Sequence, residues 1–175
     1  AYEPSEIDGY FEKILQIHGS MDSFTDADVN GDDDTMTRSQ LYGMSDAFWQ
    51  YQYQYGTNAL MMLSQSILES SYGRSAKSYA GNQLYASVAY DEDMQMEEDR
   101  YLTLQDSVYS HAKYVISGTY CSPLKEGYRG SFFGNKSAGM NVFCSDDPYW
   151  GEKCAQYYSQ LDKALGQKDK GRSEE

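Results

Sequence analysis

Glu69 is the residue whose type and position point most clearly to chemistry. It lies in the run MLSQSILESSYG (residues 62–73), where it is the only carboxylate. In a helix, Glu69 would lie near the C-terminal end, where apolar surroundings and the helix dipole both disfavour an ionised carboxyl group. A glycosidase needs a carboxylic acid that stays protonated near neutral pH to protonate the leaving oxygen of a sugar. We therefore take Glu69 as the candidate acid of a glycan-cleaving site.

The other polar side chains are weaker candidates for catalysis. His18 ends a predicted helix, where a cation interacts well with the dipole, and His111 lies beside an apolar stripe, which favours a packing role. No His/Cys spacing resembles a zinc site. The serines lack a convincing partner base, which disfavours a serine hydrolase.

One acidic segment resembles the start of a calcium loop. It reads DADVNGD (residues 26–32), but its twelfth position is Thr37, or Ser39 when the count begins at Asp28. An EF-hand carries a bidentate Glu at that position. We expect a flexible acidic loop and no cofactor. Weak calcium binding remains the alternative, at Asp26, Asp28, Asn30 and Asp32.

The charge of the chain excludes several classes of partner. Its 175 residues carry a net charge of −13, from 27 acidic and 14 basic residues. Without a Lys/Arg cluster, binding to nucleic acid or to an anionic membrane is not expected.

The 18 tyrosines offer flat faces with polar tips, which suit both packing and contact with sugar rings. The length predicts one domain with its own core, and we expect a monomer.

Compartment and redox state are less constrained. No run of about 18 apolar residues exists, so no membrane span is predicted. The polar start AYEP does not resemble a secretory signal, which leaves a cytosolic protein, a mature product or an excised domain. Cys121, Cys144 and Cys154 make an odd count, so one disulfide with a free thiol and three buried thiols both remain open.

Apolar spacing predicts five helices and one small hairpin. The predicted helices span about residues 4–17, 39–55, 58–72, 103–117 and 148–165. Gly19, Gly56, Gly118 and Gly166 follow four of them as C-caps, and Asp147 with Pro148 begins the last. The third is apolar on most of its circumference, which predicts burial at the centre. Leu84–Tyr90 alternates like a strand and, across the acidic stretch Asp91–Asp99, faces residues 100–102 in a hairpin.

These elements predict a mostly helical α+β protein with a small β-hairpin lobe. We divide it into an N-terminal helix and acidic loop (residues 1–38), packed on a catalytic domain (39–165), and a polar tail or linker (166–175).

Three segments together resemble one known family. ESSYGRS (69–75) is similar to an E-[ST]-G-x-G-x-S run, and GNQLY (81–85) with AYD (89–91) to an N-L-[FY]-G-I…A-Y-D segment. GNKSAGMNV (134–142) with DPYWGEK (147–153) resembles G-N-K-x-x-G-M-N-V…D-P-Y-W-G-E-K. These are segments of bacterial endo-β-N-acetylglucosaminidases, the glucosaminidase domains of autolysins in glycoside hydrolase family 73, of the pneumococcal daughter-cell-separation type. Ser71 and Ala86 depart from the pattern at frequent glycines, and a positive φ at either would bring modest strain.

The resemblance implies a lysozyme-like fold and a secreted, cell-wall hydrolase. Its implied substrate is peptidoglycan, cleaved at the β-1,4 bond between N-acetylglucosamine and N-acetylmuramic acid. Glu69 matches the catalytic acid, Asp91 an acidic hairpin residue and Tyr149 a tyrosine of the cleft, although Glu92, Asp93, Glu97, Glu98 and Asp99 compete with Asp91. The expected substrate-binding residues are Asn82, Tyr85, Asn135, Lys136 and Trp150, with Trp150 mainly in the core.

Two alternatives remain open on the sequence. A lytic transglycosylase would use one glutamate on a related fold and leave an anhydro-muramic product. A glycan-binding domain could retain the fold without catalysis. If no second carboxylate assists Glu69, the 2-acetamido group of the substrate can act as the nucleophile.

Overall fold

The computed structural model describes residues 2–17, 24–25, 35–36, 39–86, 96–97 and 100–168. In this part of the chain the predicted class, mostly helical α+β, is confirmed. The α-helices are α1 (Pro4–Ile17), α2 (Ser45–Tyr55), α3 (Ala59–Glu69), α4 (Ala76–Gly81), α5 (Leu104–Ser110) and α6 (Trp150–Ala164). A π-helix (His111–Tyr120) continues α5, and a 3-10 helix spans Met140–Val142. Antiparallel two-residue strands pair β1 (Phe24–Thr25) with β2 (Thr35–Met36) and β3 (Met96–Glu97) with β4 (Arg100–Tyr101).

Helix α3 lies at the centre of the core, as its apolar circumference predicts. Eight of its eleven residues are buried, so it has no polar face turned to solvent, and it packs against α2 and α6. Asn58 caps its start, since the Asn58 side-chain oxygen accepts the Met61 N–H at 2.9 Å. The helix ends at Glu69, three residues before the predicted end at Tyr72, because a left-handed turn follows.

The first two helices agree with the prediction except at one boundary. Helix α1 has the predicted bounds, packs against α2 and buries Ile7 completely. Helix α2 ends before Gly56, whose φ of 65° is the left-handed cap that glycine favours. The predicted start of α2 at Ser39 is wrong. Residues 40–43 form a turn instead, held where Gln40 N donates to Gly73 O at 3.0 Å.

The predicted hairpin is only partly correct. Residues 100–101 do form a strand, but the partner that the structure describes is Met96–Glu97, and Leu84–Ala86 is not part of a strand. Leu84, Tyr85 and Ala86 are irregular, because the Leu84 and Ala86 N–H groups bind the side chains of Ser107 and Glu69. The rest of the predicted strand, with Asp91, lies outside the described residues, as do His18 and the calcium-loop positions.

Two other helical segments differ from the prediction. Helix α4 was not predicted, because six residues are too few to show a helical period. Thr103 and Asp106 form the capping box of α5, but Gly118 does not end the helix. The chain continues to Tyr120 with wider π-type turns, in which Cys121 N donates to Ile116 O at 2.8 Å.

The predicted N-cap of the last helix is also wrong. Helix α6 begins at Trp150 with Tyr149 at the N-cap position. The Asp147 carboxylate still accepts the Tyr149 N–H at 2.9 Å and pairs with Lys153 of the helix at 2.6 Å. Trp150 N donates to Asp147 O at 3.2 Å, so residues 147–150 form a turn that leads into the helix.

All three cysteines are free thiols, with Cys154 buried and the other two half-buried. None of the helices in the described ranges has the length and apolarity needed to cross a bilayer.

Candidate active site

Glu69 is the last residue of α3 and receives hydrogen bonds from two distant parts of the chain. Its side chain is half-buried. The backbone N–H of Ala86 donates to Glu69 Oε2 at 2.7 Å, and the indole Nε1–H of Trp150 donates to Oε1 at 3.0 Å. Both carboxyl oxygens are thus held in a fixed orientation.

The pKa of Glu69 is raised above its usual value. Burial is the largest cause, because a desolvated carboxyl group resists ionisation. The hydrogen bonds from Ala86 and Trp150 act in the opposite direction, since N–H donors stabilise the charged form, but they do not outweigh burial. The protonated form of Glu69 is therefore populated at higher pH than in an ordinary glutamate.

A left-handed turn carries the chain away from Glu69. Ser71, Tyr72 and Gly73 have φ values of 52°, 62° and 71°. Ser71, one of the two departures from the family pattern, therefore occupies a conformation that costs a residue with a Cβ about 1–2 kcal/mol. The buried Ser70 hydroxyl accepts the Gly73 N–H at 2.7 Å, and a Cβ at Gly73 would lie 2.8 Å from Leu41 N. Only glycine fits at position 73.

Glu69 lines a cleft with a volume of about 420 Å³. This volume is within the range of small-molecule sites, roughly 300–1,000 Å³. The described residues that line the cleft are Glu69, Ser71, Arg74, Ser75, Ala76, Lys77 and Ala86. The sequence interpretation did not single out Arg74 or Lys77. Two basic residues within eight positions of the candidate acid, in a strongly acidic chain, were the available signal.

Trp150 is held in place where the start of α6 packs closely against a glycine-containing loop. Its ring is 4 % exposed and meets Phe133 edge-on, with ring centroids 6.0 Å apart. A Cβ at Gly151 would lie 1.9 Å from Gly134 O, and a Cβ at Gly134 would lie 1.9 Å from Ala138 O. The loop 133–140 can therefore touch the first turn of α6 only because these positions have no side chain.

Asn135 and Lys136, predicted to bind substrate, are exposed residues that also hold this loop. Asn135 Oδ1 accepts the Ser137 N–H at 2.8 Å. Lys136 Nζ donates to Asn141 O at 2.9 Å and to Ser145 O. Asn141, which the sequence interpretation overlooked, is buried and donates to Asp147 O and Pro148 O, both at 3.1 Å. The longest motif thus includes contacts that fix the start of α6.

Asn82 and Tyr85, predicted to bind substrate, make hydrogen bonds within the protein and are not among the described residues that line the cleft. Asn82 has a φ of 52° at the end of α4, and its amide donates to Tyr101 O at 2.8 Å and to Leu102 O at 3.2 Å. Tyr85 is buried, and its hydroxyl donates to Met62 O at 3.1 Å. Burial and the nearby charge of Glu69 raise the pKa of Tyr85 well above its usual value.

His111 lies under Tyr85 in the core. The two rings stack with centroids 3.6 Å apart, and His111 Nε2 is 3.0 Å from Gln65 Oε1. Burial lowers the pKa of His111 to about 3, so the imidazole is neutral at physiological pH. This is the packed histidine that its position in the sequence indicated.

The remaining predicted site residues are Tyr149 and Asp91. Tyr149 is 65 % exposed and precedes the buried Trp150. Asp91 lies outside the described residues. Within those residues, no group of three or more His, Cys, Asp or Glu side chains could hold a metal ion.

Comparison with known proteins identifies the family. The profile described as "Glucosaminidase: Mannosyl-glycoprotein endo-beta-N-acetylglucosaminidase" matches residues 45–163, which is more than half of the chain. The chain belongs to this glucosaminidase family. It is therefore a glycoside hydrolase by family, and its mostly helical structure is consistent with a lysozyme-like glucosaminidase domain.

Two curated relatives come from Streptococcus pneumoniae, strains TIGR4 and R6, and both are named "Putative endo-beta-N-acetylglucosaminidase". Each is 33 % identical to this chain over 137 residues, which is 77 % of its length. The aligned part covers only 20 % and 18 % of the relatives, so this glucosaminidase chain spans about a fifth of their length.

Proposed function

We propose that this glucosaminidase domain hydrolyses peptidoglycan at the β-1,4 bond between N-acetylglucosamine and N-acetylmuramic acid, with Glu69 as the general acid. The observation that carries the proposal is a half-buried carboxyl group of raised pKa that faces a cleft. Family membership supports the glycosidase class, and the names of the pneumococcal relatives support the endo-acting glucosaminidase type.

The chemistry assigned to Glu69 follows from its environment. Its proton passes to the glycosidic oxygen as the bond to the anomeric carbon breaks, and the leaving sugar departs as a neutral alcohol. The Trp150 and Ala86 donors orient the carboxyl group and stabilise the carboxylate that is left after proton transfer.

The second catalytic group, which would act together with Glu69, is proposed on the resemblance alone. Asp91 would activate water or stabilise the oxocarbenium-like centre, and Tyr149 would orient the 2-acetamido group of the substrate. If neither acts, that acetamido group can serve as the nucleophile. Such a hydrolase would work at the cell wall, as part of a secreted protein.

Digestion of purified peptidoglycan tests the proposal. We expect new reducing N-acetylglucosamine ends, identified by mass spectrometry of the fragments. Glu69→Gln keeps the size of the side chain but removes its proton, and should lower turnover by roughly a hundredfold or more. Anhydro-muramic ends would instead indicate a lytic transglycosylase. If the wild-type protein bound the wall but produced no new sugar ends, it would be a glycan-binding domain.

A further inference from the structure

Two basic side chains line the described part of the cleft beside Glu69, in a chain that is acidic overall. The chain carries a net charge of −13, yet Arg74 and Lys77 are the basic residues among the described lining, and Glu69 is its only acidic residue. When Glu69 is protonated, as the proposed mechanism requires, its carboxyl group does not offset the positive charge of Lys77. Local charges of one sign in a cleft concentrate ligands of the opposite sign.

Lys77 is placed to contact a ligand directly. It is exposed, belongs to the first turn of α4, and its ammonium group makes no hydrogen bond or ion pair with the described residues. Arg74 is 1 % exposed, so its guanidinium is a fixed charge in the wall. An exposed lysine at the rim, with a long flexible side chain, is suited to an anionic group on a bound molecule.

We infer that Lys77 binds a carboxylate of the glycan chain next to the bond that Glu69 cleaves. This inference rests on the proposed function. Two sources share the chemistry, namely the lactyl carboxylate of muramic acid and a carboxylate of the attached peptide. The cleft therefore distinguishes acidic glycan strands from neutral ones of equal length.

Matched substrates and variants test this inference. Peptide-free strands expose the lactyl carboxylates, peptide-bearing strands expose those of the peptide, and carbodiimide coupling to ammonia converts each into its neutral amide. The proteins are wild type, Lys77→Gln, Lys77→Arg and a control, Lys163→Gln. Lys163 is exposed on α6, thirteen residues beyond Trp150 and thus about 20 Å along the helix.

We expect Lys77→Gln to lower kcat/KM roughly three- to tenfold on strands with free carboxylates. On the amidated strands the same variant should equal wild type. Lys77→Arg should retain the preference, because it keeps the charge, and Lys163→Gln should leave it unchanged. A loss confined to peptide-free strands assigns the lactyl carboxylate, and a loss confined to peptide-bearing strands assigns the peptide.

Equal losses on charged and amidated strands would show that Lys77 acts on the protein and not on a carboxylate. No loss on either would also overturn the inference. Calorimetric titration of the Glu69→Gln protein, with and without Lys77→Gln, measures the same preference by affinity alone. If the wild-type protein produced no new ends on any strand, the proposed function would fail while this titration still decided the role of Lys77.

Discussion

At the scale of single residues, two opposing effects set the pKa of Glu69. Burial in the cleft wall favours its neutral form, whereas the Ala86 and Trp150 N–H groups favour the carboxylate. Burial prevails, so the proton is retained to higher pH than in a solvated glutamate. The two donors then fix orientation and limit how far the pKa rises, which gives Trp150 a measurable role in the pH dependence.

Trp150→Phe removes the indole donor and keeps an aromatic ring against Phe133. Because that donor lowers the pKa of Glu69, its loss should raise the pKa further. Activity that needs protonated Glu69 falls as pH rises through this pKa, so the alkaline limb of the kcat/KM profile should move to higher pH. The maximum rate should also fall, since the carboxyl group loses one of its orienting contacts.

Trp49→Phe is the matched control for this change, because Trp49 Nε1 is buried without a hydrogen-bond partner among the described residues. Its pH–rate profile should coincide with that of the wild-type protein. An alkaline limb that stays in place in Trp150→Phe, or moves to lower pH, would contradict the electrostatic role of Trp150.

His111 should make the fold sensitive to acid. Burial lowers its pKa to about 3 in the folded protein, below the ordinary histidine value of about 6.5. The unfolded chain therefore binds a proton that the folded chain resists, and stability should fall as pH decreases from about 6.5 towards 3. Between about pH 7 and pH 4.5 this single site should lower the free energy of unfolding by roughly 2–3 kcal/mol.

His111→Phe separates this contribution from those of other groups. It retains a ring to stack on Tyr85 and cannot titrate, although it leaves Gln65 without its partner. Denaturant unfolding at the two pH values should give a smaller decrease for His111→Phe than for wild type. Equal decreases would mean that His111 does not control the acid limb of stability. Protonation of Glu69 acts in the opposite direction in both proteins and cancels in the comparison.

At the scale of elements, the helices were predictable where burial imposes a helical period. Helix α1 has the predicted bounds, and the apolar circumference of α3 indicated its central place. The errors lie at ends where side chains or backbone turns compete with the helix. Asp147 accepts the Tyr149 N–H in a turn that precedes α6, and Gly118 continues the π-helix that it was predicted to end.

The candidate site was predictable in part for a related reason. Glu69 stands out because it is the only carboxylate in an apolar helix, which is a local property of the sequence. The two residues that donate hydrogen bonds to Glu69 do not stand out in the sequence, because Ala86 and Trp150 are 17 and 81 residues away along the chain. A single sequence carries no record of such approaches. The motif that revealed the family is rich in glycines because it forms the junction that brings Trp150 to Glu69.

Gly151→Ala tests that junction. The added methyl group would meet Gly134 O at 1.9 Å, a backbone atom that can move only with its loop. We expect the free energy of unfolding to fall by about 2 kcal/mol or more. Activity should also fall in the protein that still folds, because the indole of Trp150 would no longer reach Glu69.

Gly9→Ala is the control for Gly151→Ala. It lies in α1 with no atom within 4 Å of the added Cβ. Alanine favours a helix more than glycine, so this variant should be more stable by roughly 0.5–1 kcal/mol. Similar effects of the two substitutions, measured by denaturant unfolding, would contradict the steric role of Gly151.

At the scale of the whole molecule, the segment before the family match is part of the packed structure. The family profile begins at residue 45, but Ile7 is fully buried and α1 packs against α2. Tyr2 is also buried, and its hydroxyl donates to Asp162 and accepts the Lys168 N–H at 2.7 Å. The first and last described segments are therefore joined to each other and to the same core.

Ile7→Ala measures whether α1 and the matched region unfold together. Removing a fully buried isoleucine side chain should lower the free energy of unfolding by roughly 2–5 kcal/mol. If the helix belongs to the same cooperative unit, near-ultraviolet circular dichroism and tryptophan fluorescence should report one shared transition at lower denaturant concentration. Ser5→Ala, at an exposed position of α1, should change stability by less than about 0.5 kcal/mol. An unchanged midpoint in Ile7→Ala, or an early transition in which the signal of Trp150 remains native, would show that α1 is an independent attachment to the glucosaminidase domain.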